Sequence, residues 1–218
     1  ENSLNSTYGA ASQRSFDDGA LIYGQTVLGV DFTRSLGAPG LAAPVNFAWG
    51  FEARRETYEI EAGEPASYNR GPAATPTLAS GAQGFIGFQP GNEVDEDRTA
   101  WAAYLDVEAQ ASERLLVGGA IRFENYSDFG ETLNGKITAR YDFTDNFAIR
   151  GALSSGFRAP SLQQSYFTST ASVFVAPNVV ETGTFPATSV VASTLGAQPL
   201  EPEQAVNASL GLVFQAGD

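Results

Sequence analysis

The sequence predicts an all-β fold, an antiparallel meander of about eight strands that forms part of a large transmembrane β-barrel. Apolar and polar residues alternate with period two over segments of about ten residues, as half-buried strands require. No segment repeats apolar residues at the three-and-four spacing of a helix, and Gly, Pro and Thr are too dense for one. The connections sort by length: short ones alternate with mostly longer ones. Outer-membrane barrels show that pattern, with trimmed periplasmic turns and extended outer loops.

The predicted strands cover residues 1–9, 20–34, 44–60, 98–111, 114–127, 133–144, 146–158 and 202–215. In 44–60, Val45, Phe47, Trp49 and Phe51 oppose Asn46, Glu52 and Arg54. In 98–111, Trp101, Ala103, Leu105 and Val107 oppose Tyr104, Asp106 and Glu108. Leu115, Val117, Gly119, Ile121 and Phe123 share a face opposite Arg122, Glu124 and Tyr126. The next segment sets Ile137, Ala139, Tyr141 and Phe143 against Lys136, Thr138, Arg140 and Asp142. Phe147, Ile149, Gly151, Leu153 and Phe157 oppose Arg150, Ser154 and Arg158. Near the end, Val206, Ala208, Leu210, Leu212 and Phe214 oppose Asn207, Ser209 and Gln215.

"GAPGLAAP" (37–44), "SER" (112–114) and "TDN" (144–146) are the short connections. Residues 10–19, 61–97, 128–132 and 159–201 are the others, two of them very long, and compact soluble domains rarely carry such loops. This reading places both termini at the trimmed end. After "FAIRGALSSGF", Arg158 turns toward the interior or its rim, and Pro160, which lacks an N–H, stops strand pairing.

The 218 residues carry 25 acidic and 12 basic side chains, a net charge of −13. So acidic a chain repels phosphate backbones, and no basic run offsets it, which argues against nucleic acid as a partner. His, Cys and Met are absent. Ser-His-Asp and Cys-His nucleophile systems, His/Cys zinc sites and disulfides therefore cannot be built. The opening "ENSLNSTYG" has no Met and no signal-peptide pattern, so the chain reads as a piece of something longer or a processed product. No run of about 18 apolar residues offers a transmembrane helix, which leaves barrel strands as the way across a bilayer.

One stretch has a specific look: "ENYSDFGETLNGKITARYDFTDNFAIRGALSSGFRAPSLQQ". Arg122, Glu124, Tyr126 to Gly130, Asn134, Lys136, Arg140, Tyr141, Arg150, Gly151 and Ser154 to Pro160 supply a pattern that closely resembles the late-middle barrel of TonB-dependent outer-membrane receptors. "PLEPEQAVNASLGLVF" resembles the strand after the next outer loop, and "FEARRETYEIEAGEPASY" and "GFIGFQP" resemble other parts of that barrel. The resemblance covers nearly the whole chain, although no plug domain and no TonB box are recognisable. It implies that residues 1–218 are part of a barrel of about 22 strands. The implied partners are the missing strands and plug of the same protein, TonB acting through the plug, outer-membrane lipid and a transported solute. It further implies location in the bacterial outer membrane and uptake of a scarce solute of the siderophore, cobalamin or oligosaccharide class. The alternative is a soluble β-sandwich serving as a binding or adhesin module.

Charges on a lipid-facing surface cost a few kcal/mol each near the midplane, so the charged row marks the interior. Glu52, Arg54, Arg122, Glu124, Arg140, Arg150 and Arg158 are its lumen- and plug-facing candidates. Trp49, Trp101, Tyr141, Phe143 and Phe147 fit interfacial aromatic belts. Tyr68, Phe85, Phe88, Tyr166 and Phe167, on outer loops, are candidates for ligand contact by family role. "NEVDED" (92–97) lacks the spacing and glycine of a calcium loop and reads as a solvated acidic loop. The sequons "NST", "NYS" and "NAS" carry no meaning in a bacterial outer membrane. No catalytic residue, metal site or cofactor is expected.

Overall fold

The structure is a computed structural model, and it describes residues 2–215. Seven strands form one sheet: β1 (Gly19–Leu36), β2 (Val45–Ala62), β3 (Val94–Ser112), β4 (Leu115–Tyr126), β5 (Gly130–Thr144), β6 (Phe147–Arg158) and β9 (Glu203–Phe214). They lie side by side in chain order, so the sheet is a meander with β1 and β9 at its two edges. Between β6 and β9 a hairpin of β7 (Ser169–Val175) and β8 (Asn178–Thr184) forms a second, two-stranded sheet. About ten residues suffice for a tilted strand to cross a bilayer. Every strand of the large sheet has at least 12, and β1–β3 have 18 or 19.

Register is what turns the alternation into two faces. Across β3 and β4, Leu105 stands opposite Ile121 and Ala103 opposite Phe123, while Tyr104 faces Arg122. Across β5 and β6, Ile137 meets Leu153 and Tyr141 meets Ile149, while Lys136 meets Ser154. From β6 to β9, Phe147 meets Phe214 and Ile149 meets Leu212. A slip of one residue would mix these rows, so the pairing keeps one face apolar from β3 to β9. Among the described residues nothing covers that face: Leu133 is 65% exposed, Leu210 79% and Phe214 72%. A soluble sandwich would bury this row beneath a second sheet. A row of bare Leu, Ile and Phe on a folded sheet fits lipid as its solvent.

Aromatic rings edge the apolar face. Beside the two-residue turn Asp145–Asn146, Tyr141 packs edge-on to Phe143, which stacks on Phe147, which stacks on Phe214, with centroids 4.8–5.5 Å apart. A second row joins Phe51, Trp101 and Phe123 at 6.2 and 5.3 Å. On β4, Phe123 lies eight residues from Leu115, which pairs with Tyr141. That is roughly 26 Å along the strand, close to the height of an outer-membrane apolar band. Phe32 stacks on Trp49 at 5.6 Å.

Two expectations need correction. Residues 1–9 are not a strand. Ser6–Ala11 form a 3-10 turn capped by Asn5, whose side chain accepts from the Thr7 amide and donates to the carbonyls of Ala66 and Asn69. A fully buried Asn bonding locally to the backbone competes with any ladder. The first strand is therefore β1, and residues 2–18 lie with the long 63–93 connection rather than at the trimmed end. Secondly, 159–201, expected only as a long connection, holds Leu162–Tyr166 and Val190–Thr194 as short helices and the β7–β8 hairpin.

The chain divides into two units. One comprises Glu1–Gln25, Glu56–Asp97 and Pro160–Leu200; the other comprises Thr26–Arg55, Arg98–Ala159 and Glu201–Asp218. In the first, Tyr58 and Ile60 of β2 pack with Phe88 and Leu162, and Val94, Tyr166 and Phe167 close around them. Gly19 opens β1 at φ +90°, where a Cβ would lie 2.2 Å from the Glu61 carbonyl oxygen, so no other residue fits.

Ile137→Arg, in the middle of the apolar row, should destabilise the full-length protein in lipid vesicles by about 2–4 kcal/mol. Asn207→Arg, on the opposite face, should cost less than about 1 kcal/mol. Urea titration in vesicles measures both, and equal costs would contradict the assignment of faces.

Candidate functional site

The polar face carries a linked set of ions. Arg122 donates from Nε to Glu124 Oε1 at 2.7 Å, and its Nη2 lies 3.4 Å from Glu52 Oε2. Glu52 also accepts from Arg54 at 2.7 Å, and Glu124 accepts from the Tyr126 hydroxyl at 3.0 Å. Sequence spacing explains the pairs on one strand, since residues two apart share a face. The contact from β2 to β4 needs more, because β3 lies between them. Ala102, opposite Glu124 in register and only 3% exposed, is small enough for long side chains to meet above it.

The same device recurs one strand over. The Tyr104 hydroxyl of β3 donates to Asp31 Oδ1 of β1 at 2.7 Å, crossing β2 above Gly50. A Cβ at Gly50 would sit 2.5 Å from that oxygen and 2.6 Å from the Tyr104 ring. Small residues on the middle strand thus let the outer two exchange hydrogen bonds.

Arg140 and Arg150 face each other directly in register. Arg140 holds Asp142 at 2.8 Å. Arg150 lies over Gly211, whose added Cβ would fall 3.0 Å from Nε. Arg158 stands opposite Glu203 and is exposed. The sequence-derived charges form separate groups: Glu52, Arg54, Arg122 and Glu124 are joined on one face, while Arg140, Arg150 and Arg158 are not part of that network. A groove of about 490 Å³ runs along this face past Tyr104, Asp106, Arg122, Asn134, Lys136 and Ser154.

Sequence reasoning missed Arg98. It is 4% exposed, lies 3.3 Å from Asp128, and its guanidinium sits over the rings of Tyr126 and Phe129 at 5.4 and 6.0 Å. Its parity with Ala102 and Tyr104 in the predicted strand 98–111 was the available signal, but it stands at the first residue of that strand, where alternation has no preceding residue to confirm it. Phe157 also departs from expectation: it packs on Tyr126 at 5.9 Å and Phe129 at 6.4 Å.

The loop aromatics fall into two kinds. Phe88 is buried and bridges Phe85 at 5.2 Å to Phe167 at 6.4 Å, so it joins the two long connections. Phe85 is 42% exposed, and Tyr68, Tyr166 and Phe167 are half-buried. Tyr166 also lines a cleft of about 530 Å³ whose walls include Glu93, Asp95, Glu96, Thr168 and Phe185. Gly183 makes room for the Phe185 ring, which occupies the space a Cβ would take. Among the described residues, no three acidic side chains come together in a way that could hold a metal ion.

With this geometry established, known proteins supply a comparison. A family model described as "TonB dependent receptor-like, beta-barrel" matches residues 1–218. The chain is 31% identical over 81 residues to the vitamin B12 transporter BtuB of Vibrio cholerae, a match covering 37% of this chain and 13% of the transporter. Its fold is similar to the crystal structure of the siderophore receptor PirA from Pseudomonas aeruginosa, with TM-score 0.61 and 17% identity over 91% of this chain. PirA from Acinetobacter baumannii gives TM-score 0.60 and 15% identity over 98% of this chain. The chain spans only 30% and 28% of those receptors.

Gly50→Val should destabilise the sheet by about 1–3 kcal/mol through overpacking. Combining it with Tyr104→Ala, which removes the obstructing ring, should recover part of that loss in urea unfolding. Strict additivity of the two substitutions would contradict the strand-crossing contact.

Proposed function

The chain belongs to the TonB-dependent receptor β-barrel family, and from that premise we propose that it supplies wall strands and outer loops for energised uptake of a scarce solute across a Gram-negative outer membrane. The observation that carries the proposal is the two-faced sheet. Its apolar row is bare from β4 to β9, and the opposite row holds the ion network and a polar groove. A wall between lipid and a watery bore needs both.

In this reading the edges β1 and β9 pair with further strands of the same protein, because unpaired backbone groups are costly in lipid. Glu52, Arg54, Arg122, Glu124, Arg140, Arg150 and Arg158 face the lumen and meet a plug. Arg150 and Arg158 are the available ones, since neither guanidinium has a hydrogen-bond or ion-pair partner among the described residues, and Arg150 is in addition opposed by Arg140. A carboxylate on the plug would relieve that juxtaposition of like charges. Phe85 and Tyr166 offer ring surface to a solute, while Phe88 holds the loops together. TonB acts on the plug, outside the residues of this chain, and the role is transport rather than catalysis. Siderophore, cobalamin and oligosaccharide remain the candidate solute classes.

Uptake of radiolabelled ferric siderophores, cyanocobalamin and maltodextrins by cells expressing the full-length gene tests this. One of the three should accumulate against its gradient, and accumulation should stop when TonB is deleted. Uptake that is linear in solute concentration and indifferent to TonB would indicate a passive pore instead. Arg150→Ala should weaken plug retention, seen as leak of small solutes through the full-length protein. An unchanged leak would remove Arg150 from that role.

A further inference from the structure

The chain's net charge is unevenly distributed. The unit formed by Glu1–Gln25, Glu56–Asp97 and Pro160–Leu200 contains twelve acidic side chains and two basic ones, Arg14 and Arg70, a net of −10. The other unit contains thirteen acidic and ten basic side chains, a net of −3. Strand-wall acids are therefore largely matched by arginines, whereas the unit that carries the long connections is almost free of cations. Arg70 is occupied as well, donating to the Thr75 carbonyl at 2.9 Å.

Within that unit the cleft of about 530 Å³ has the size of a small-molecule site. Glu93, Asp95 and Glu96 line it, and none of their side chains has a hydrogen-bond or ion-pair partner among the described residues. Tyr166 and Phe185 add ring surface to the same walls. Unpaired carboxylates beside aromatic rings attract an organic cation, by Coulomb attraction and by the negative faces of the rings. A bare metal ion is a poorer fit, because these acids are not grouped as metal ligands.

We propose that the outer-loop unit selects solutes carrying a positively charged organic group, such as an ammonium or guanidinium, and turns anionic solutes away. The proposal deepens the uptake reading and rests on it for the placement of the loops. The field of the whole unit steers a cation toward the surface, and the cleft with Glu93, Asp95 and Glu96 receives it. Neutral solutes rank between cations and anions.

The test uses the purified full-length receptor in vesicles and three coumarin dyes alike except for a trimethylammonium, a hydroxyl or a sulfonate group. Fluorescence anisotropy at low salt should show the cationic dye binding at least about tenfold more tightly than the sulfonate, a preference that falls to under about threefold at 300 mM salt. The variant Glu93→Gln, Asp95→Asn, Glu96→Gln should lose at least about threefold of the preference. Glu113→Gln with Asp145→Asn, at the turns of the other unit, should leave it unchanged. Equal affinity for the three dyes, preference for the sulfonate, absence of binding by all three, or a preference untouched by salt or by the cleft variant would each overturn the proposal. Because binding is read on purified protein, that outcome is separate from a failure of TonB-dependent uptake in cells.

Discussion

Everything in this structure depends on holding two solvents apart with a single layer of strands. A sheet one layer thick has no core in the ordinary sense, so each side chain must suit whatever lies on its own side. Period-two alternation achieves this only if register is kept from strand to strand. The pairs Leu105–Ile121, Ile137–Leu153 and Ile149–Leu212 show it being kept from β3 to β9. Between the two edge strands the backbone bonds are satisfied within the ladder, which is what lipid demands of any spanning segment.

On the wet side the constraint is different, because charges brought close must be compensated. Arg122 between Glu52 and Glu124 does this across three strands, and Gly50 and Ala102 make the crossings sterically feasible. These ion pairs are partly exposed, so their value lies less in stability than in fixing the orientation of the side chains along the groove. The long connections solve the opposite problem. Phe88 and Leu162 of these connections build a small apolar core with Tyr58 and Ile60 of β2.

Much of this was legible in the residues. Strands β2 to β6 and β9 and their two faces follow from alternation, as do the aromatic row at Tyr141, Phe143 and Phe147 and the charges that share the opposite face. What escaped had physical reasons. Residues 1–9 alternate weakly, and the local hydrogen bonds of Asn5 outcompeted a strand. The β7–β8 hairpin is hidden by the surrounding Ser, Thr and Ala, which leave its Val173–Val180 and Phe174–Val179 pairs with no clean pattern. Phe88 shows the limit for candidate ligand residues: sequence cannot separate a ring that binds from one that ties loops together. The contacts over Gly50 and Ala102 join strands far apart in the chain, and only register reveals them.

The most direct test of the two-solvent wall is a nitroxide scan along β5 of the full-length protein in lipid bilayers, with single cysteines introduced from Leu133 to Tyr141. This stretch has no native cysteine to interfere. Oxygen, which concentrates in lipid, should relax the labels at 133, 137, 139 and 141, and a water-soluble nickel chelate should relax those at 134, 136, 138 and 140. Accessibility to the two reagents should therefore alternate out of phase with period two. If both profiles were flat, or the labels at 133, 137 and 139 were shielded from oxygen and chelate alike, the apolar row would be covered by protein and the account would be wrong.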